Sequence, residues 1–160
     1  MNYNKHFDFL KNLPKKLNNF YEKKSRSNFK ISNKSKTIKD FDPVTNVDRA
    51  FEKYIRSLIH KSFSNDSIIG EEFEDKFSLS DYQWCIDPID GTRAFIIGAP
   101  TWSNLIGLSF QKKSVVGLAN FPELNKYYIS NQKKSYVIRN KKKSTLRSSR
   151  NNNLKTIKII

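Results

Sequence analysis

Asp87 and Asp90 stand three residues apart in the run Asp87-Pro88-Ile89-Asp90-Gly91-Thr92, with Trp84 ahead of it and Phe95, Gly98 and Pro100 behind. Carboxylates at that spacing, on a turn stiffened by proline, can share hard cations through oxygen. Gly91 has no Cβ and lets the backbone approach an anion closely. A helix opening at Gly91 or Thr92 would aim its first amides at a phosphate. A lone pair of acids at this spacing is commonly an Asx-rich surface turn; the longer string sets this one apart.

Two shorter patterns add oxygen donors. Gly70-Glu71-Glu72 supplies a carboxylate pair, and Asp42-Pro43-Val44-Thr45 is followed by Asp48. Each is weak alone, since Glu-Glu is usually a solvated face and Asp48 has the position of a helix-capping residue. Cys85 is the only cysteine. Lying between Trp84 and Ile86 with no histidine near in sequence, it reads as a buried strand thiol rather than a nucleophile. His6 and His60 have no ligand-like spacing and read as surface residues.

Regular elements must carry these groups. Phe7, Leu10, Leu13, Leu17 and Tyr21 recur at helical spacing, with Pro14 expected to kink or interrupt the helix. Residues 22–40 are polar and read as a loop, a candidate lid. Thr45 with Asp48 three places on marks a helix start. Ala50, Phe51, Tyr54, Ile55, Leu58 and Ile59 give that helix an apolar face, ending between His60 and Ser64. Ser67–Gly70 and Trp84–Ile86 are apolar runs followed by acids, which reads as strands delivering carboxylates from their ends. Residues 104–110, 115–120, 126–130 and 135–138 are spaced as an antiparallel meander. The fold class is therefore α+β, an antiparallel sheet flanked by helices. Residues 140–153 read as a basic polar tail and 154–160 as the start of a further strand.

The 160 residues carry a formal net charge of +15, a value that suggests nucleic acid until it is divided along the chain. Residues 40–90 hold twelve of the fifteen Asp and Glu, whereas both ends are strongly basic. An acidic cluster inside a cationic chain suits a cation site whose surround attracts anionic substrates. Lys outnumbers Arg by 23 to 7, a bias that composition alone also produces. The apolar content of 37% excludes wholesale disorder. A single cysteine excludes an intramolecular disulfide, and no signal-like or membrane-spanning apolar run is present, so the expectation is a cytoplasmic protein without membrane contact.

The order D-P-V-T-x-x-D, G-E-E, then W-x-I-D-P-I-D-G-T resembles the inositol monophosphatase superfamily over about residues 40–130. The resemblance implies the first half of a layered sugar-phosphatase fold that stops before a second α/β domain. Residues 1–140 are then the metal- and phosphate-binding domain, and 141–160 a basic tail leading into an absent one. It implies that Glu71, Asp87 and the carbonyl of Ile89 hold one Mg²⁺ and that Asp87 and Asp90 hold a second. Asp48 and Thr92, with Glu71, would activate the attacking water. Asp90, Gly91, Thr92 and Arg93 would contact the substrate, with Lys36 or Lys39 nearby. The run Arg93-Ala94-Phe95 with Gly98-Ala99-Pro100-Thr101-Trp102 is similar to the histidinol-phosphatase branch, which implies L-histidinol phosphate as substrate.

Inositol 1-phosphate is the alternative substrate. Because a further aspartate ligand of the family has no counterpart here, an inactive truncated fragment is a second alternative, and a separate chain supplying the other half, or a homodimer, are the implied partners. A third reading, a basic nucleic-acid-binding module using Tyr127, Tyr128 and Tyr136 for stacking, is disfavoured by the acidic middle.

Overall fold

A computed structural model of the chain describes residues 3–24, 30–33 and 43–148. Lys36, Lys39, most of the 22–40 loop and the strand expected at 154–160 lie outside those residues. Helix α1 (Asn4–Lys24) leads to a short pair of strands, β1 (Ile31–Asn33) and β2 (Pro43–Thr45), and then to helix α2 (Asn46–Ser62). Strands β3 (Ser67–Gly70) and β4 (Tyr82–Asp90) follow, then the short helix α3 (Thr92–Ile96). A meander completes the described residues: β5 (Ser103–Phe110), β6 (Lys113–Phe121), β7 (Lys126–Asn131), β8 (Ser135–Arg139) and β9 (Lys142–Leu146).

Strands β3 to β9 form one seven-stranded sheet in sequence order. The α+β class stands, with one amendment: β3 pairs parallel with β4 and every later pair is antiparallel. The parallel pair follows from the long excursion between Gly70 and Tyr82, which returns the chain to the end of the sheet where it began. Lys142–Leu146, assigned by composition to the tail, is the exposed edge strand of the sheet. A two-residue turn at Asn140 and Lys141, with φ of 49° and 64°, folds it back on β8. Gln111 and Lys112 make the same turn between β5 and β6, with φ of 49° and 64°.

Both helices lie on one face of the sheet. Leu10, Leu13 and Leu17 of α1 and Val47, Phe51, Ile55 and Ile59 of α2 bury against Ile68, Trp84, Ile86, Ile106, Leu108, Leu118 and Ile129. Helix α1 runs unbroken through Pro14, itself buried beside its leucines. Proline inside a helix costs about 3 kcal/mol. Burying one leucine returns about 1.5–3 kcal/mol, so the leucine stripe outweighs it.

Two residues are placed differently from their sequence reading. Cys85 is exposed, because Trp84 and Ile86 take the helix face and strand alternation turns the residue between them outward. His6 is buried, its ring 4.2 Å from that of Phe63 and 4.3 Å from that of Tyr82. Its Nε2 lies 3.1 Å from Asp66 Oδ2, an oxygen that also accepts from Trp84 Nε1 at 2.9 Å. His60 is exposed, as expected.

Candidate functional site

The Asp87–Asp90 segment is part of β4 rather than a free turn. In a regular strand, residues three apart point to opposite faces. Here Asp87 pairs with Leu105 and Asp90 with Ser103, so β4 takes three steps where β5 takes two. This extra residue is a β-bulge, and it returns the second carboxylate to the face of the first. The Pro88 carbonyl displaced by the bulge accepts from Asn104 Nδ2 at 2.7 Å. Asn104 Oδ1 in turn accepts from Asn120 Nδ2 at 2.9 Å, and that same nitrogen lies 2.9 Å from Asn18 Oδ1 on α1. Asn104 and Asn120 are fully buried. A relay of amides thus braces the bulge from the helix side; none of these asparagines carries a motif signal in the sequence.

Helix α3 follows directly, with Gly91 at its N-cap in the left-handed region at φ 84°. Glycine suits this turn because other residues rarely adopt that conformation. The carboxylates, Ile89 and the start of α3 line one open cavity of about 310 Å³, formed by Glu71, Asp87, Ile89, Asp90, Gly91, Thr92 and Arg93. Six of these residues were drawn from the sequence as cation or phosphate contacts, and Arg93 was drawn as a substrate contact.

Asp48 reaches the same place from the start of α2. Its Oδ2 closes a capping box, accepting from the Thr45 amide at 2.9 Å and from the Thr45 hydroxyl. The other oxygen, Oδ1, lies 3.3 Å from Thr92 Oγ1. Thr92 Oγ1 is also 3.1 Å from the Ile89 carbonyl, so one hydroxyl hydrogen faces two acceptors. Asp48 is buried, and burial pushes its carboxyl above the ordinary value despite the hydrogen bonds from Thr45 and Thr92. The capping role and the site role therefore fall on different oxygens of one side chain.

Glu71 and Asp87 are close enough for their carboxyl groups to hydrogen-bond to one another, which requires a proton between them. Burial, then the charge of Glu71, then that of Asp90 push Asp87 up to about 7. Asp87 Oδ1 is buried and has no hydrogen-bond partner among the described residues. Asp90 is exposed at the rim, with Ser103 Oγ 3.3 Å from its Oδ2. Among the described residues no three carboxylate, histidine or cysteine side chains meet at one point as they stand. The donor set nonetheless fits a hard divalent cation. It is all oxygen, its charges repel one another, and its innermost oxygen is unsatisfied, which is the environment a cation relieves.

The second acid of the Glu71-Glu72 pair serves the scaffold. The Glu72 side chain is 2% exposed, with its Oε2 3.9 Å from Arg49 Nε. Glu52, which carries no motif signal in the sequence, is fully buried and accepts from the Glu72 amide at 2.7 Å. No helix among the described residues is long and apolar enough to cross a membrane.

Known proteins resemble this chain in sequence and in fold. The model of the inositol monophosphatase family matches residues 7–159. A histidinol-phosphatase of Chlorobaculum parvum is 42% identical over 90 residues, covering 56% of this chain and 35% of the relative. The Nus factor SuhB of Haemophilus influenzae is 41% identical over 101 residues, covering 61% and 36% respectively. A crystal structure of an IMPase/NADP phosphatase complexed with Mg²⁺ and phosphate superposes with a TM-score of 0.68 at 18% identity, over 77% of this chain and 46% of that one, and shares its fold. The chain thus spans less than half the length of these proteins.

Proposed function

The chain belongs to the inositol monophosphatase family, and we propose that its site serves Mg²⁺-dependent hydrolysis of small phosphate monoesters, with L-histidinol phosphate as substrate. The observation that carries this reading is the buried, partnerless Oδ1 of Asp87 in a cavity shared with Glu71, Asp90 and the start of α3. Glu71, Asp87, the Ile89 carbonyl and Asp90 would hold the metal, and bound Mg²⁺ supplies charge neutralisation on phosphate oxygens and a more acidic attacking water.

The remaining work falls to this chain's own groups. Thr92, donating to Asp48 Oδ1, keeps its oxygen lone pairs free to accept a hydrogen bond from the attacking water. Asp48, raised by burial, is the base at the end of that path: a proton leaving the water passes through the Thr92 hydroxyl to Oδ1. The Gly91 and Thr92 amides, in the first turn of α3, receive the phosphate, and exposed Arg93 at the rim of the cavity attracts it. No covalent intermediate on the protein is required, in keeping with a lone cysteine that lies outside the cavity.

The substrate reading is supported by Arg93-Ala94-Phe95 and Gly98 to Trp102, and by the similarity to the histidinol-phosphatase of Chlorobaculum parvum. Phosphate release from L-histidinol phosphate and from inositol 1-phosphate, measured side by side with Mg²⁺ present, tests it. A higher kcat/KM for histidinol phosphate is expected; the reverse order assigns the chain to inositol phosphates instead.

A further inference from the structure

We infer that Glu52, together with Arg56, is a positioning residue for the cation site: the pair grips the Gly70–Phe73 loop from the helix side and so fixes where Glu71 presents its carboxylate. This rests on the cation reading proposed above.

Glu52 lies within α2 and is fully buried, as are Phe51 and Ile55 of the same helix. A buried carboxylate is unfavourable unless it is paired and hydrogen-bonded. Its two oxygens are engaged separately. Oε1 accepts from Arg56 Nε at 2.8 Å, one helical turn on. Oε2 accepts from the backbone amide of Glu72 at 2.7 Å. Arg56 then donates through Nη2 to the Phe73 carbonyl at 3.1 Å. The loop is therefore tied to α2 one residue and two residues after Glu71.

On the other side of Glu71 the fit is closer still. A Cβ built on Gly70 would stand 2.1 Å from Glu52 Oε1 and 2.7 Å from Arg56 Nη2. Gly70 has no left-handed φ, so a side chain here would meet no backbone strain but would have to displace the Glu52–Arg56 ion pair. Glu71 is held between a residue pressed on the Glu52 carboxylate and a residue hydrogen-bonded to it.

A helix-stabilising pair alone does not account for this arrangement. Apolar replacements of buried ion pairs are often neutral for stability, so helix stability alone does not call for this one. Committing one carboxylate oxygen to a loop amide serves geometry. Glu52 is absent from the lining of the cavity, so it acts through Glu71 rather than on substrate.

The test is Mg²⁺ titration by calorimetry on the full chain and on four variants, Glu71→Gln, Glu52→Gln, Gly70→Ala and the double variant Glu52→Leu/Arg56→Leu, with the folded fraction and Tm followed by circular dichroism. Parent chain should bind Mg²⁺ and Glu71→Gln should lose most of that binding. The double variant and Gly70→Ala should raise the Mg²⁺ Kd roughly 10- to 100-fold. Glu52→Gln, which keeps an acceptor for the Glu72 amide, should raise it less and remain folded. Folded variants with a lowered Tm and a parental Mg²⁺ Kd would show a merely structural role and overturn the inference. A parent whose Mg²⁺ binding is absent, or unchanged by Glu71→Gln, would instead overturn the cation reading, and this inference with it.

Discussion

Thr92 Oγ1 lies 3.3 Å from Asp48 Oδ1, although the two residues are 44 positions apart in the chain. Asp48 caps α2 with one oxygen and meets Thr92 with the other, so the same side chain starts a helix and reaches a residue that lines the cavity. Replacing Thr92 by Val keeps the shape and removes the hydroxyl. Its kcat for phosphate release should fall by about 10²-fold or more, with Mg²⁺ affinity nearly unchanged, whereas Thr92→Ser should retain most activity. Steady-state kinetics with a parallel Mg²⁺ titration checks both.

The Glu71–Asp87 pair gives the metal-free protein a defined pH dependence. Asp87 is raised from 3.8 to about 7 in the folded chain, first by burial and then by Glu71. Between those values the folded state holds a proton that the unfolded state has released, so the stability this group contributes is fully present below 3.8 and is lost as pH rises through about 7. Asp87→Asn should remove that decline, leaving the metal-free variant more stable than the parent at pH 8. Mg²⁺ should raise the Tm of the parent and not that of Asp87→Asn, because only a state that binds ligand is stabilised by it. Thermal melts at several pH values, with Mg²⁺ or chelator, measure all of this.

Asn104 is the brace of the bulge. Asn104→Ala leaves the buried Pro88 carbonyl without its donor, at a cost of about 1–3 kcal/mol. A Tm lowered by several degrees is expected, together with weaker Mg²⁺ binding, because Asp87 and Asp90 flank that carbonyl. Parental Mg²⁺ affinity in the folded variant would mean that the bulge holds its shape without the relay.

Cys85 faces outward from β4. A thiol-specific reagent should therefore label it in the native protein without denaturant, and the labelled chain should keep its circular dichroism spectrum. Labelling only after unfolding would place the side chain inside.

Local signals in the sequence accounted for a good deal of this architecture. Thr45 with Asp48 announced a capping box three residues wide, and the spacing of the segments in residues 104–138 announced the meander, since both depend on neighbours along the chain. Asp87, Asp90, Gly91 and Thr92 were legible as a group because they fall within one six-residue run. What supports them was not legible. Asn104 meets Asn120 across a hairpin 16 residues apart, Asn120 meets Asn18 across 102, and Glu72 meets Glu52 across 20. An asparagine or glutamate that works through a distant backbone group leaves no pattern at short range. His6 was misplaced for the same reason, its partner Asp66 being 60 residues away. Pro14 misled in the opposite sense, because a local rule about helix breaking was outweighed by the buried leucine stripe.

The central claim is that the carboxylates of this cavity hold Mg²⁺ for phosphate monoester hydrolysis. Its most direct test is release of inorganic phosphate from L-histidinol phosphate by the purified chain, with Mg²⁺ or with chelator, beside Asp90→Asn prepared identically. Release that requires Mg²⁺ and is lost in Asp90→Asn is the expected result. Release that persists in chelator, survives the substitution, or is absent from the parent would contradict the account.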